Sequence, residues 1–413
     1  MTTWVRFRIK VALLLLILLA GAILQLRSME RVGSDFFVYY TAAHLLRDNM
    51  NVHIYDGAED KKNPVYVQAD PDTVFAQRAK SDGISRVSLY IYPPTLADLL
   101  IPVTHLSAAH AFVLWSALNL AMILSVSVML NEILRIHQFG LGMLVAIASL
   151  MFRPTVSCLY LGQVPILLLF LLMAGWSLVR RGHICMSGLL FALSAAIKLT
   201  PLIVIVPFLA WRNWKVVRVI ILWGLAFFAL LCVFNGWGVM KLWMFHVLPS
   251  MSSGISSPAS RTLTALFYAC WRGFDYSNVP VGLAWTVRVV SVLLLCYVAW
   301  LSRKNSDSNS QDSVKFRIFA VFLLLSCCLA PVSWVHAYVL SIPVLVILGR
   351  RVLEGSSSNL ETTLLLLFVL SLSTNRIAYL DVAAPVLGVL LGVMELHKLH
   401  SEQSDEGVVN AVS

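Results

Sequence analysis

The chain has 413 residues, of which 59% are hydrophobic and only 13% charged; its mean hydropathy is +0.81 and its formal charge +10. That balance excludes a soluble globular domain and predicts a polytopic membrane protein. Its apolar runs reach helix length and do not alternate as barrel strands do, so the expected fold is all-α.

The positive charge gives no case for a nucleic-acid partner, because about half of the basic residues sit in short loops between apolar runs, where they set orientation against anionic lipid. The first run, Arg6, Arg8 and Lys10 followed by Val11 to Leu24, has the pattern of a signal peptide but no convincing cleavage site. It is read as an uncleaved first helix. Expected spans follow near 9–26, 108–130, 139–152, 164–180, 184–197, 199–211, 216–234, 283–302, 317–330, 337–349, 358–373 and 378–396. With the clusters Arg6–Lys10, Arg135, Arg180–Arg181, Arg212–Arg218, Arg303–Arg317, Arg350–Arg351 and Lys398 all cytoplasmic, these make twelve crossings with both termini inside. The expected location is therefore the cell's inner membrane.

Two long outer loops result, 28–95 and 235–282. In the first, Gly33-Ser34-Asp35 is a helix-start signal and a helix is predicted from Phe36 to about Arg47. Asp70-Pro71-Asp72 and Ser81-Asp82-Gly83 signal turns, and residues 95–107, interrupted by Pro102, read as re-entrant or interfacial. Residues 1–302 are expected to form the main membrane module. The Ser-rich stretch 303–316 reads as a cytoplasmic linker, 317–398 as C-terminal spans and 399–413 as a cytoplasmic tail. Most of the seven cysteines lie in apolar runs, and only Cys158 and Cys270 are placed to reach the outer face, so neither a disulfide framework nor a metal cluster is inferred.

On this topology Arg153, Lys198, Arg261, His336 and Arg376 all fall on the outer side, opposite the basic loops. Ionisable groups held at a lipid boundary are costly and mark functional sites. Asp35 lies at a helix start, one turn before Tyr39, with Ala42 and Ala43 nearby leaving room for a substrate. It serves equally well as a helix cap, or shares that role with Ser34. Tyr92-Pro93-Pro94 fixes an extended backbone, or anchors an aromatic at the interface. Gln163 can hydrogen-bond a headgroup or a neighbouring helix. Lys198, at a helix break before Thr200-Pro201, either snorkels to lipid phosphates or serves a ligand phosphate, and the shared outer face favours the second. Trp334 suits the interface, and His336 is a phosphate donor, a proton relay or a satisfied interfacial histidine. No second histidine at zinc spacing accompanies it.

Taken in order, Ser34-Asp35-Phe36, Tyr39-Tyr40, Tyr55-Asp56, Tyr92-Pro93-Pro94, Gly162-Gln163, Ile197-Lys198-Leu199-Thr200-Pro201, Trp211-Arg212-Asn213-Trp214 and Pro331-Val332-Ser333-Trp334-Val335-His336 resemble the GT-C integral-membrane glycosyltransferases. More narrowly they resemble glycosyltransferase family 87, whose members use polyprenol-phosphate sugars. The chain departs from the family pattern at Ala337, where a second polar residue is usual, and in a longer first outer loop around Tyr66 to Arg86. Its second outer loop offers only Ser257-Pro258-Ala259-Ser260-Arg261-Thr262-Leu263 for an expected motif.

The resemblance implies a polyprenyl-phosphate-linked donor carrying mannose or another hexose or pentose, and a lipid or glycan acceptor. Transfer would occur on the extracytoplasmic face, in one inverting displacement. It implies Asp35 as general base, oriented by Tyr39 or Tyr40, since a partly desolvated carboxylate can take up the acceptor's proton. Lys198, Arg261 and His336, with Arg153 and Arg376, would meet the charge on the leaving phosphate, while Tyr92 and Trp334 stack on the sugar or line the prenyl groove. No cofactor is implied, and a divalent cation is left open. The rival readings are a secondary transporter or flippase for lipid-linked sugars, and a polysaccharide ligase or polymerase.

Overall fold

The computed structural model describes residues 32–58, 67–251, 260–273, 279–304, 312–373 and 378–412, with backbone alone for 378–382 and 403–412. The expected span 9–26, the linker residues 305–311, Ser257-Pro258-Ala259 and Arg376 lie outside the described residues. Among those described the fold is all helical, and the only β pairings are two isolated bridges, Gln68 with Ser88 and Ser260 with Trp334.

The helices, in chain order, are α1 Ser34–Arg47, α2 Val74–Ser81, α3 Thr95–Leu100, α4 Ala108–Ile133, α5 Phe139–Met151, α6 Arg153–Leu161, α7 Pro165–Arg180, α8 Ile184–Ile197, α9 Ile205–Ala210, α10 Trp214–Asn235, α11 Trp237–Leu242, α12 Leu263–Arg272, α13 Val281–Lys304, α14 Asp312–Cys328, α15 Ile342–Glu354, α16 Asn359–Ser373 and α17 Ala378–Val412. Four helical stretches are long and apolar enough to cross a membrane (α4, α10, α13 and Val335–Glu354), or five if the bent pair α5 and α6 counts as one. Helices α7, α8 and α16 are apolar but shorter.

Local chemistry explains the boundaries. Thr73, Ser107, Asn213 and Thr262 each accept a backbone N–H at the first turn of α2, α4, α10 and α12. The expected span 139–152 does not stop there: after Phe152 the chain bends by 53° and continues as α6. Pro154 in the first turn of α6 has no N–H to continue the ladder of α5. The expected span 199–211 is likewise a 3₁₀ turn, Thr200–Val204, run into α9, and 337–349 begins as a 3₁₀ turn, Val335–Ser341. The stretch expected as the second outer loop, 235–282, carries α11, α12 and a π-helical turn at Trp243–Val247, and the expected tail continues α17 as helix to Val412.

Two local expectations are corrected. Neither Ser34 nor Asp35 caps α1: the N-cap is Gly33, at φ 70°, and no side chain accepts there. Ala42 and Ala43 are fully buried against the core and leave no space for a ligand.

One hydrophobic core runs from Phe36 to Leu399, through both sides of the 303–316 boundary. Helices α1 and α3 pack on each other within it, and Tyr55 and Tyr90 are buried beside them. The Tyr55 hydroxyl donates to the Tyr92 carbonyl at 2.7 Å and the Tyr90 hydroxyl to the Pro93 carbonyl at 2.7 Å. Burial raises both phenols well above their usual range, so they remain donors that clamp the Tyr92-Pro93 backbone.

Candidate active site

The site begins with a glycine. Gly162 ends α6 in the left-handed conformation at φ 72°, and a Cβ there would stand 2.4 Å from the Cβ of Phe36. That contact brings α1 against the end of α6, and two further bonds lock it: Gly33 N–H to the Tyr160 carbonyl at 2.9 Å and the Trp115 indole to the Gly162 carbonyl at 2.9 Å. The next residue, Gln163, is thereby held beside the first turn of α1.

Gln163 is the hub of the site. Its Nε2 donates to Asp35 Oδ2 at 2.5 Å, and its Oε1 accepts from the Tyr39 hydroxyl at 3.0 Å and the Tyr92 hydroxyl at 3.4 Å. These bonds are mutually consistent: two phenols on the amide oxygen leave the amide N–H₂ facing the carboxylate. Tyr39 meets Tyr92 edge to face with centroids 5.1 Å apart. Burial, then the neighbouring Tyr92 and Asp35, holds the Tyr39 phenol well above its ordinary range, so it keeps its proton as a donor. Lys198, just past the end of α8, lies 5.6 Å from the Tyr92 ring centroid.

A cavity of about 1590 Å³ opens on this network. Asp35, Tyr39, Tyr92, Gln163 and Lys198 line it, together with Arg153, Arg261, Trp334 and His336. Residues from six separated stretches of sequence thus converge on one space. His336 is 4% exposed and, among the described residues, its Nε2 has no hydrogen-bond partner. Its turn is fixed from behind by two thiols: Cys158 donates to the His336 carbonyl at 3.4 Å and Cys327 to the Ala337 carbonyl at 3.1 Å. Cys158 is therefore buried rather than reaching the outer face as expected, and only Cys270 of that pair is exposed. The strand-like bridge of Ser260 with Trp334, extended by Arg261 N–H to the Ser333 carbonyl at 2.6 Å, sets Arg261 beside the same turn. Arg153 Nη1 donates to the Leu372 carbonyl at 2.8 Å, tying the cavity wall to α16.

A model described as glycosyltransferase family 87 matches residues 90–331, more than half of the chain. The chain belongs to glycosyltransferase family 87. It is an enzyme, a membrane glycosyltransferase, and it acts on a sugar donor and an acceptor in a membrane setting. No curated protein matches the chain. The matched stretch contains Tyr92, Arg153, Gln163, Lys198 and Arg261 of this family 87 protein, whereas Asp35, Tyr39, Trp334 and His336 lie outside it. All of them line the same cavity.

Tyr40 does not join it. Its hydroxyl donates to the Leu106 carbonyl at 2.7 Å and its ring meets His44, because consecutive residues on α1 point about 100° apart and only Tyr39 shares the face of Asp35. Sequence reasoning also missed a wall of the cavity, Gln68 with residues 82–86 and Ser88, which looked like polar loop; nothing but turn signals marked it. Among the described residues no three histidine, cysteine or acidic side chains gather as metal ligands.

Replacing Tyr39 by phenylalanine removes one of the two phenols that orient the Gln163 amide. The expected result is a loss of kcat of about tenfold with the fold intact, the order of one buried hydrogen bond. Steady-state kinetics beside circular dichroism checks it.

Proposed function

We propose that this enzyme moves a hexose or pentose, such as mannose, from a polyprenyl-phosphate donor to an acceptor hydroxyl on a lipid or glycan, with inversion and with Asp35 as general base. The observation that carries this reading is the Asp35–Gln163–Tyr39–Tyr92 network facing a cavity shared with Lys198, Arg261 and His336. It supplies a carboxylate held in one orientation together with cations and a histidine for a phosphate. Under this reading the cavity opens to the extracytoplasmic side of the cell membrane, in a chain of twelve crossings with both termini inside. The first crossing and the late outer residue Arg376 complete that topology.

The acceptor oxygen attacks the anomeric carbon from the face opposite the phosphate, and its proton passes to the Asp35 carboxylate. The bond from the anomeric carbon to the phosphate oxygen breaks, and its electron pair stays with the departing polyprenyl phosphate. The charge that grows there is met by Lys198, Arg261 and His336, with Arg153 further back. Tyr92 and Trp334 face the sugar, while Leu199, Leu202, Ile203 and Leu329 offer apolar wall for the first prenyl units. The scheme assigns the leaving charge to side chains alone.

Transfer from a panel of synthetic polyprenyl-phosphate hexoses and pentoses, with the protein in nanodiscs, tests the reading. Wild type transfers sugar, and Lys198→Ala raises the donor KM by roughly ten- to a hundredfold, as loss of a charge-assisted bond requires. An unchanged donor KM in that variant would remove Lys198 from the phosphate site. Movement of a labelled lipid-linked sugar across the bilayer with no transfer would overturn the donor chemistry.

A further inference from the structure

The cavity has two unlike walls. One, along Leu199, Leu202, Ile203 and Val206, is apolar; the other, along Gln68, Ser85, Arg86 and Ser88, is polar. The polar wall is a built feature rather than a stray loop. The Gln68–Ser88 bridge is flanked by Ala69 N–H to the Val87 carbonyl at 2.9 Å and Leu89 N–H to the Val67 carbonyl at 3.1 Å, and the Gln68 amide donates to Ser88 Oγ at 3.3 Å. Val87 turns into the core, which leaves its neighbours Arg86 and Ser88 on the cavity side. The same segment runs on without a break into Tyr92, so its far end is the network that holds Asp35.

Charge separates Arg86 from its neighbours. Arg78 is neutralised by Asp48 at 2.9 Å and Asp82 at 3.4 Å, whereas among the described residues Arg86 has no ion-pair partner. A guanidinium on a cavity wall beside hydroxyls and an amide suits a polyhydroxylated ligand that carries an anionic group. The segment lies just before the family match at 90–331.

We propose that Gln68, Ser85, Arg86 and Ser88 form the acceptor subsite, and that Arg86 selects an acceptor glycan bearing a phosphate or a carboxylate near the hydroxyl that reacts. The inference rests on the proposed transfer reaction for the word acceptor; the binding site itself stands on the geometry of this wall. The acceptor would lie along residues 85–92 with its nucleophilic hydroxyl at Asp35, while the donor phosphate occupies Lys198, Arg261 and His336.

Equilibrium binding of three matched probes tests this: methyl glucoside, glucuronate and glucose 6-phosphate, titrated into the nanodisc protein with saturating polyprenyl phosphate filling the donor site. Wild type is expected to bind one or both anionic sugars about tenfold more tightly than methyl glucoside, which corresponds to about 1.4 kcal/mol. Arg86→Ala loses that preference and keeps its affinity for methyl glucoside, Arg86→Lys restores part of it, and Lys198→Ala leaves it intact. The anionic probe that wins tells phosphate from carboxylate. A preference that survives Arg86→Ala, or one that vanishes in Lys198→Ala instead, overturns the subsite, as does equal binding of all three probes by wild type. Because binding is read without turnover, failure of the transfer reaction shows separately, in the donor panel.

Discussion

Asp35→Asn protein in nanodiscs folds as wild type does and transfers sugar slower by roughly two to four orders of magnitude, the usual consequence of removing a general base. Asparagine keeps an oxygen that can accept from Gln163 Nε2, so the 2.5 Å contact that orients residue 35 has a near-isosteric replacement. What the amide lacks is the capacity to take the acceptor's proton. The donor KM should stay close to wild type, since the residues assigned to the phosphate are untouched. Single-turnover transfer from a polyprenyl-phosphate sugar reads both quantities. Turnover at the wild-type rate would move the base elsewhere on the cavity wall, and His336, with its buried Nε2 lacking a described partner, would be next.

A second large effect lies far from the chemistry. Glu395 on α17 has a fully buried side chain and accepts from Arg317 Nε of α14 at 2.5 Å, while also pairing with Arg351 of α15. Arg351 pairs in turn with Glu361 of α16 at 2.9 Å, and Arg317 with Glu402 at 2.9 Å. Four helices therefore meet on one network of alternating charge. Glu395→Ala leaves two guanidinium groups beside an empty, poorly solvated space and is expected to destabilise the protein by about 3 kcal/mol, the lower end for a broken buried pair because each arginine keeps one other carboxylate. Thermal unfolding in nanodiscs checks the loss. Activity per folded molecule should not change, because none of these residues lines the cavity. An unaltered unfolding temperature would mean that the four helices are held by packing alone.

These two sites differ in how much of them the amino-acid sequence carried. Asp35 and Tyr39 are four residues apart, and one helical turn is enough to put them on one face. The break at Lys198-Leu199-Thr200-Pro201 was equally local, because proline cannot continue a helix. The Glu395 network left no such trace. Glu395 is far along the chain from the two arginines it meets, and in sequence Arg317 and Arg351 looked like loop charges facing lipid. Only the packing of α14 to α17 turns them inward against glutamates.

Composition and apolar run length by themselves determined an all-helical membrane protein, and many helix boundaries came from caps, prolines and basic loops, because these act over a few neighbouring residues. Short motifs in order pointed to the family. The tertiary structure decided the rest: that Gly162 lets Phe36 approach and so seats Gln163 on Asp35, that Tyr40 faces away, that two thiols hold the turn of His336, and that residues 82–86 with Ser88 form a wall of the cavity. Each of these depends on contacts between segments remote in the chain, whose energies are set by close approach and exclusion of solvent rather than by the local preferences of any one segment.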